Sequence, residues 1–257
     1  MKIAMAQFDM AFEAVEINKK EVIQLVKVAH LNHADMIIFP ELTLTGFSMA
    51  SKEIYDDTID DFFKELSKQY FIKIVYGKVA KREDGYYNNL MIVDGQKELL
   101  SYDKIHPFLQ ESEFYQKGSE IKHCDLLGYN VSGFICYDLR FPEIFQAASR
   151  FSDLIIVIAS WPQERIEHWT TLLKARAIEN QCYVLGVNRV GKDPYESYNG
   201  HSVLFDPWGM QINDFSSEEK LIYAYLDRKL VEYIRNNRNY KDSRRESLYL
   251  DLLGNIK

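Results

Sequence analysis

Cysteine, proline and tryptophan are scarce in this chain: three, six and three among 257 residues. The cysteines, Cys124, Cys136 and Cys182, are an odd set without framework spacing, which argues against a disulfide scaffold and for a reducing compartment. No Pro/Gly/Ser linker, low-complexity run or internal repeat interrupts the sequence, so one domain spanning residues 1–257 is expected. No apolar run approaches the ~20 residues of a membrane span. The N-terminus reaches Asp9 before a signal-peptide core could develop. Positive charge is not in excess, and a net charge of −7 argues against nucleic acid or an anionic membrane as the main partner. A soluble, cytoplasmic protein is expected.

Familiar cofactor and metal motifs are missing too. No G-x-G-x-x-G follows a strand pattern, and there is no Walker A sequence. A cysteine phosphatase carries arginine six residues after its cysteine, but position 142 is Pro142 and Arg140 comes two residues early. Glu164, Glu167 and His168 resemble a metal box, yet no second histidine lies four residues away. Neither a metal nor a cofactor is expected. His106, His168 or His201 could each pair with Cys136 in a papain-like arrangement, although the sequence around papain-type cysteines is absent.

What is present is ordinary globular composition, 47% hydrophobic and 27% charged. Lys2–Phe8 reads as a first strand, 13–33 as an amphipathic helix, and Asp35–Phe39 as a short strand buried on both faces. Residues 58–70 look helical. Between Phe71 and Asp103, Asp84-Gly85 and Asp94-Gly95 signal hairpins, so part of the sheet must be antiparallel. Lys104 to Gly118 has no period and reads as a long functional loop. Further strands are expected at Val131–Ile135, Asp153–Ala159, Tyr183–Asn188, His201–Phe205, Met210–Phe215 and Leu221–Leu226. Helices are expected at Ile144–Arg150, at 164–180 and after Leu226, while 240–257 is too charged to assign. The pattern is α/β, with more than one sheet and helices outside.

Three reactive side chains stand at the ends of strand-like runs: Glu41 after Met36–Phe39, Lys104 after Leu99–Asp103, and Cys136 after Val131–Ile135. Each alone has a plain structural reading, a core cysteine or a solvated surface charge. Together they are chemically complementary, and strand ends are where an α/β sheet presents side chains to a crevice. A carboxylate can take the thiol proton, and an ammonium can hold the developing negative charge.

Phe39-Pro-Glu41, Asp103-Lys104-Ile-His106 and Cys136-Tyr-Asp-Leu-Arg140-Phe-Pro-Glu143 resemble, in order and spacing, the three catalytic blocks of the nitrilase, or carbon–nitrogen hydrolase, superfamily. The likeness continues through Ser160-Trp161-Pro162, His168–Asn180, Gly186–Gly191 and Asp206-Pro-Trp-Gly209. It implies a four-layer α-β-β-α sandwich with mixed sheets, usually dimerised, so a homodimer is expected. It implies Cys136 as nucleophile, Glu41 as general base and Lys104 as electrostatic partner. It also implies a second glutamate seven residues before a glycine, a place that Glu111 takes before Gly118 and for which Glu113 competes.

Within the superfamily the blocks are most similar to ω-amidases, which hydrolyse the terminal amide of 2-oxo acids such as 2-oxoglutaramate. That resemblance implies a small-molecule amide substrate with a carboxylate remote from the amide. Arg140 or Arg189 could hold it as a guanidinium fork; Arg140 could instead pair with Asp138 or Glu143. Trp161 could wall the pocket or pack in the core, and the Tyr137 backbone N–H could join the oxyanion site. An amidase for deaminated glutathione is the alternative substrate reading, and a catalytically idle interaction protein on the same fold is the alternative class. His106-Pro107 and Lys192–Asn199 depart from close ω-amidase patterns at places expected to border the pocket.

Overall fold

Period-two burial builds the first half of the molecule. The computed structural model, which describes residues 1–254, begins with β1 (Lys2–Gln7), α1 (Val15–Leu31), β2 (Met36–Ile38), α2 (Ile59–Tyr70), β3 (Lys73–Arg82), β4 (Gly85–Asp94) and β5 (Lys97–Asp103). Along these strands Ile3, Met5, Met36, Ile38, Val75, Leu90 and Ile92 face one core, while Ala4, Ala6, Ile37, Ile74, Tyr76, Met91 and Val93 face α1 and α2. Side chains alternate across a strand, so one sheet serves two apolar layers.

The second half follows with β6 (His123–Leu126), β7 (Tyr129–Ile135), α3 (Pro142–Ala148), β8 (Leu154–Ala159), α4 (Ile166–Asn180), β9 (Tyr183–Asn188), β10 (Val190–Lys192), β11 (Ser197–Asn199), β12 (Val203–Phe205), β13 (Lys220–Tyr225), α5 (Arg228–Asn237) and α6 (Glu246–Gly254). β7, β8 and β9 run parallel and form the centre of a five-stranded sheet, with β12 and β6 antiparallel at its edges. β8 is buried at every residue, as a strand covered on both faces must be. The other sheet has six strands in the order β13-β1-β2-β3-β4-β5 and is likewise mixed.

The two sheets share one apolar core, and α1–α2 and α3–α4 cover their outer faces. This is the expected α-β-β-α sandwich. α4 lies close against β9, where a Cβ on Gly186 would stand 2.3 Å from Leu173 and 2.6 Å from Trp169. No helix among the described residues is long and apolar enough to cross a membrane.

Three local expectations are corrected. Met210–Phe215 is no strand: a single bridge joins Gln211 to Phe205, because Asp206 draws the chain into a turn, its Oδ1 accepting from Trp208 and Met210 N–H. The 189–200 loop contains the β10–β11 hairpin. The tail is helical at Glu246–Gly254; residues 255–257 lie outside the described range.

Candidate active site

Each of the three chain segments reaches the site by ending a strand. β2 stops before Pro40, and the following turn is fastened to β3: Thr43 N–H donates to Gly77 O at 2.9 Å, and Gly77 N–H to Thr43 Oγ1 at 3.0 Å. Leu42 takes a left-handed φ of 48° to make that turn. The result is a Glu41 side chain with no exposure. Lys104 follows β5 and stays paired to β4 through its N–H to Asn88 O at 2.8 Å, so its four-carbon stem is carried inward and is fully buried. Cys136 follows β7 with φ 45°, a conformation that costs a non-glycine residue of order 1–3 kcal/mol. It opens a short 3₁₀ turn, Cys136–Arg140, that leads into α3.

Glu41 and Lys104 meet, and Glu111 joins them. Lys104 Nζ lies 2.8 Å from Glu41 Oε1 and 2.8 Å from Glu111 Oε2, all three buried. Asn88 Nδ2 donates to Glu41 Oε1 at 2.7 Å and to Glu111 Oε1 at 2.8 Å, which uses both hydrogens of its amide. Ser160 N–H donates to Glu41 Oε2 at 2.9 Å, while Ser160 O faces Cys136 Sγ at 4.0 Å. Ser160, the residue after β8, therefore contacts both the carboxylate and the sulfur. Glu111 is fixed from its own loop by Phe108 N–H at 2.6 Å. Glu113 is exposed, so Glu111 is the loop glutamate that joins the cluster.

Charge balance follows from this packing. Burial alone would push the Lys104 pKa down, but the Glu111 and Glu41 carboxylates beside it outweigh that and hold it well above the usual lysine range. Burial, with repulsion from Glu41, pushes Glu111 up despite Lys104. Burial and the Glu41 charge push the Cys136 thiol well above its ordinary value, with Lys104 opposing them. Burial and this cluster thus favour the neutral thiol at Cys136. The charges that act most on it are Glu41, Lys104 and Glu111. The histidines have other partners: His106 binds Asp138, His168 meets Arg140, and His201 stacks on Phe215.

Cys136 opens into a cleft with about 430 Å³ of empty space, part of it continuous with open solvent. Tyr137, Arg140 and Trp161 line it, together with Phe47, Phe108 and Arg165. Trp161 serves both readings, since it walls the cleft and its ring lies 5.5 Å from Trp169 in the core. Arg140 is not paired as the structural reading supposed. Its guanidinium lies 4.8 Å over the Trp161 ring and 3.3 Å from His168 Nδ1, whereas the oxygens of Asp138 are taken by Tyr102, Ile135 and His106. Arg189 is a buried clamp on Asp9 Oδ1 and Met10 O and lies outside the cleft lining, so it is no substrate fork. From the 192–199 loop, Glu196 and Tyr198 reach the cleft, and Glu196 pairs with Arg165 at 3.2 Å. His106 points to Asp138 and Phe141 instead. Asn88 was missed by sequence reasoning; its signal was an Asn-Asn pair inside an otherwise apolar strand, where asparagine is disfavoured.

The carbon–nitrogen hydrolase family profile matches residues 2–236. Over 256 residues the chain is 34% identical to the 2-oxoglutaramate amidase of Bacillus subtilis, covering 96% of this chain and 98% of that protein. It is 37% identical over 185 residues to an omega-amidase of Yersinia enterocolitica, covering 70% and 72% of the two chains. Among solved structures, a CN-hydrolase superfamily protein of Xanthomonas campestris superposes with a TM-score of 0.89 at 26% identity, over 95% of this chain and 97% of that one. An amidase of Nesterenkonia shares the fold, with a TM-score of 0.88 at 21% identity over 98% and 97% of the chains.

Proposed function

The chain belongs to the carbon-nitrogen hydrolase family and is a hydrolase acting on amides; from that premise we propose that its substrate is a small 2-oxo dicarboxylic acid monoamide of the 2-oxoglutaramate type, cleaved through a thioester on Cys136. The observation that carries the reading is the buried Lys104–Glu41–Glu111 cluster against the Cys136 sulfur, opening onto a cleft that holds the Arg140 guanidinium.

Because the resting thiol is neutral, attack requires a base. Glu41 takes the Sγ proton as sulfur adds to the amide carbon. The carbonyl oxygen becomes an oxyanion held by Lys104 and the Tyr137 N–H. An ammonium has three donors; Glu41 Oε1 and Glu111 Oε2 each lie 2.8 Å from Nζ, and the oxyanion takes over the donor shared with the longer contact, Glu111 Oε1 at 3.1 Å. One such donor typically contributes about 3–4 kcal/mol to lowering the barrier. Collapse breaks the carbon–nitrogen bond, and the departing nitrogen takes the proton from Glu41 and leaves as ammonia. Water then gives a proton to Glu41 and adds its hydroxyl to the thioester. The second collapse returns the acid and the Cys136 thiol, which recovers its proton. Glu111 holds Lys104 and orients substrate and water. Arg140, set face-on against Trp161, receives the remote carboxylate.

The proposal takes the chain as one cytoplasmic domain working as a homodimer, without cofactor or metal. An ammonia-release panel of 2-oxoglutaramate, 2-oxosuccinamate, deaminated glutathione and simple aliphatic amides tests it. Turnover of 2-oxoglutaramate should exceed that of the aliphatic amides by at least about tenfold, the effect of a matched charged contact, and Cys136→Ala should be silent. Activity on deaminated glutathione alone would overturn the substrate assignment, and wild-type ammonia release by Cys136→Ala would overturn the thioester.

A further inference from the structure

We propose that Asp138 is a positioning residue that holds the Cys136 turn in register with Lys104. Asp138 is fully buried two residues after Cys136, in the turn that follows β7. Its Oδ2 accepts from its own turn, Ile135 N–H at 3.1 Å, and from the other sheet, the Tyr102 hydroxyl at 2.8 Å. Its Oδ1 accepts from His106 twice, the backbone N–H at 2.9 Å and Nδ1 at 2.9 Å. A carboxylate accepts only, so the imidazole donates from Nδ1.

Tyr102 and His106 stand two residues before and two after Lys104. One carboxylate thus grips both sides of the lysine from a point two residues beyond the cysteine. Tyr102 and Lys104 share a face of the β5 extension, because side chains repeat every second residue. The Tyr102 ring is anchored in the inter-sheet core, edge-on to Phe134 of β7 at 5.4 Å. Its hydroxyl also accepts from Ile105 N–H at 3.2 Å, which fixes the residue after Lys104. His106 completes the grip by stacking on Phe141, 3.7 Å away and 11° from parallel, where the turn ends. Burial and the Asp138 charge hold the Tyr102 pKa well above its usual value, so the phenol remains a donor. A structural reading, a carboxylate capping its own turn, accounts for Ile135 alone.

The inference rests on the roles proposed for Cys136 and Lys104, and its test separates the two. Asp138→Asn keeps the shape but replaces one accepting oxygen with an NH₂ that cannot receive these hydrogens. Displacements of about 1 Å cost on the order of 10²-fold in rate, so kcat should fall at least that far with KM unchanged within about threefold. Iodoacetamide labelling of Cys136 should slow in parallel, because Lys104 no longer opposes the raised thiol pKa. Tyr102→Phe, which loses only the hydroxyl, should lower kcat less, and the double variant should fall no further than Asp138→Asn alone. If Asp138→Asn does not fold, Tyr102→Phe decides: an unaltered kcat and labelling rate overturns the proposal. So does a folded Asp138→Asn with wild-type kcat, or one whose loss is matched by its unfolded fraction in near-UV circular dichroism. If the wild type turned over no amide, the proposed activity would be wrong, while the labelling rates would still read the alignment.

Discussion

Lys104 is one cation between two buried carboxyl groups, of which Glu111 is pushed up by burial and by Glu41, and this cluster lies beside the Cys136 sulfur. Burial and this cluster together determine how the thiol behaves with pH. Burial and Glu41 raise the Cys136 pKa well above its ordinary value, so the thiolate is disfavoured near pH 8.5, where a free cysteine would ionise. A base acting during attack removes the need for it. The profile of kcat/KM should therefore be level from about pH 7 to 9, and a tenfold rise per pH unit centred near 8.5 would mean that free thiolate is the nucleophile. Cys124 and Cys182 show that a raised thiol pKa is not itself the mark of the site. Burial pushes them up to about 11 and about 12, but the Glu41–Lys104–Glu111 cluster adjoins Cys136. Sequence named Glu41, Lys104, Glu111 and Cys136 because each ends an element or sits at a family spacing. Asn88 had only the weak mark of an asparagine pair in an apolar strand, and its role shows when its two hydrogens meet two carboxylates.

At the scale of elements, the site is positioned by close backbone approach. A Cβ on Gly77 of β3 would stand 2.3 Å from Leu42 N and 3.0 Å from Glu41 Cα, so the Glu41 turn lies directly on that glycine. Gly186 of β9 has the same function for packing, with Leu173 and Trp169 of α4 in the place of a side chain. Gly77→Ala must move backbone, whereas Gly186→Ala must move an indole and a leucine. Overpacking of this kind costs about 1–3 kcal/mol. Both variants should lower the urea midpoint, but Gly77→Ala should also lose about 10² in kcat per folded molecule while Gly186→Ala retains kcat. Equal kcat in the two folded variants would contradict the account of how Glu41 is placed. The strands were legible where their apolar pattern was clean, as in β1, β2, β7, β8 and β9, whereas β6, an edge strand with only Leu126 buried, was not foreseen. Met210–Phe215 has a similar pattern and is not a strand, because Asp206 captures the backbone donors next to it.

Across the whole molecule, one apolar cluster runs from Ile3 and Leu90 of the six-stranded sheet to Phe134 and Ile158 of the five-stranded one. Neither sheet can leave without exposing the inward face of the other. If the chain is one domain, far-UV circular dichroism, near-UV circular dichroism and activity should be lost together in urea; an earlier, separate loss of one sheet would contradict that. The sequence by itself determined the α/β class and the reactive residue types, because alternation, turn residues and strand-end placement are local properties of the chain. Only the tertiary structure decided which side chains touch. Glu41, Lys104 and Cys136 come from separate segments that meet when two sheets pack face to face. Arg140 faces the cleft because Tyr102 and His106, from across the sandwich, already occupy Asp138. Arg189 is withdrawn from it by Asp9 at the far end of the sequence. Pairings over such separations depend on how the sheets stack, and no local pattern encodes them.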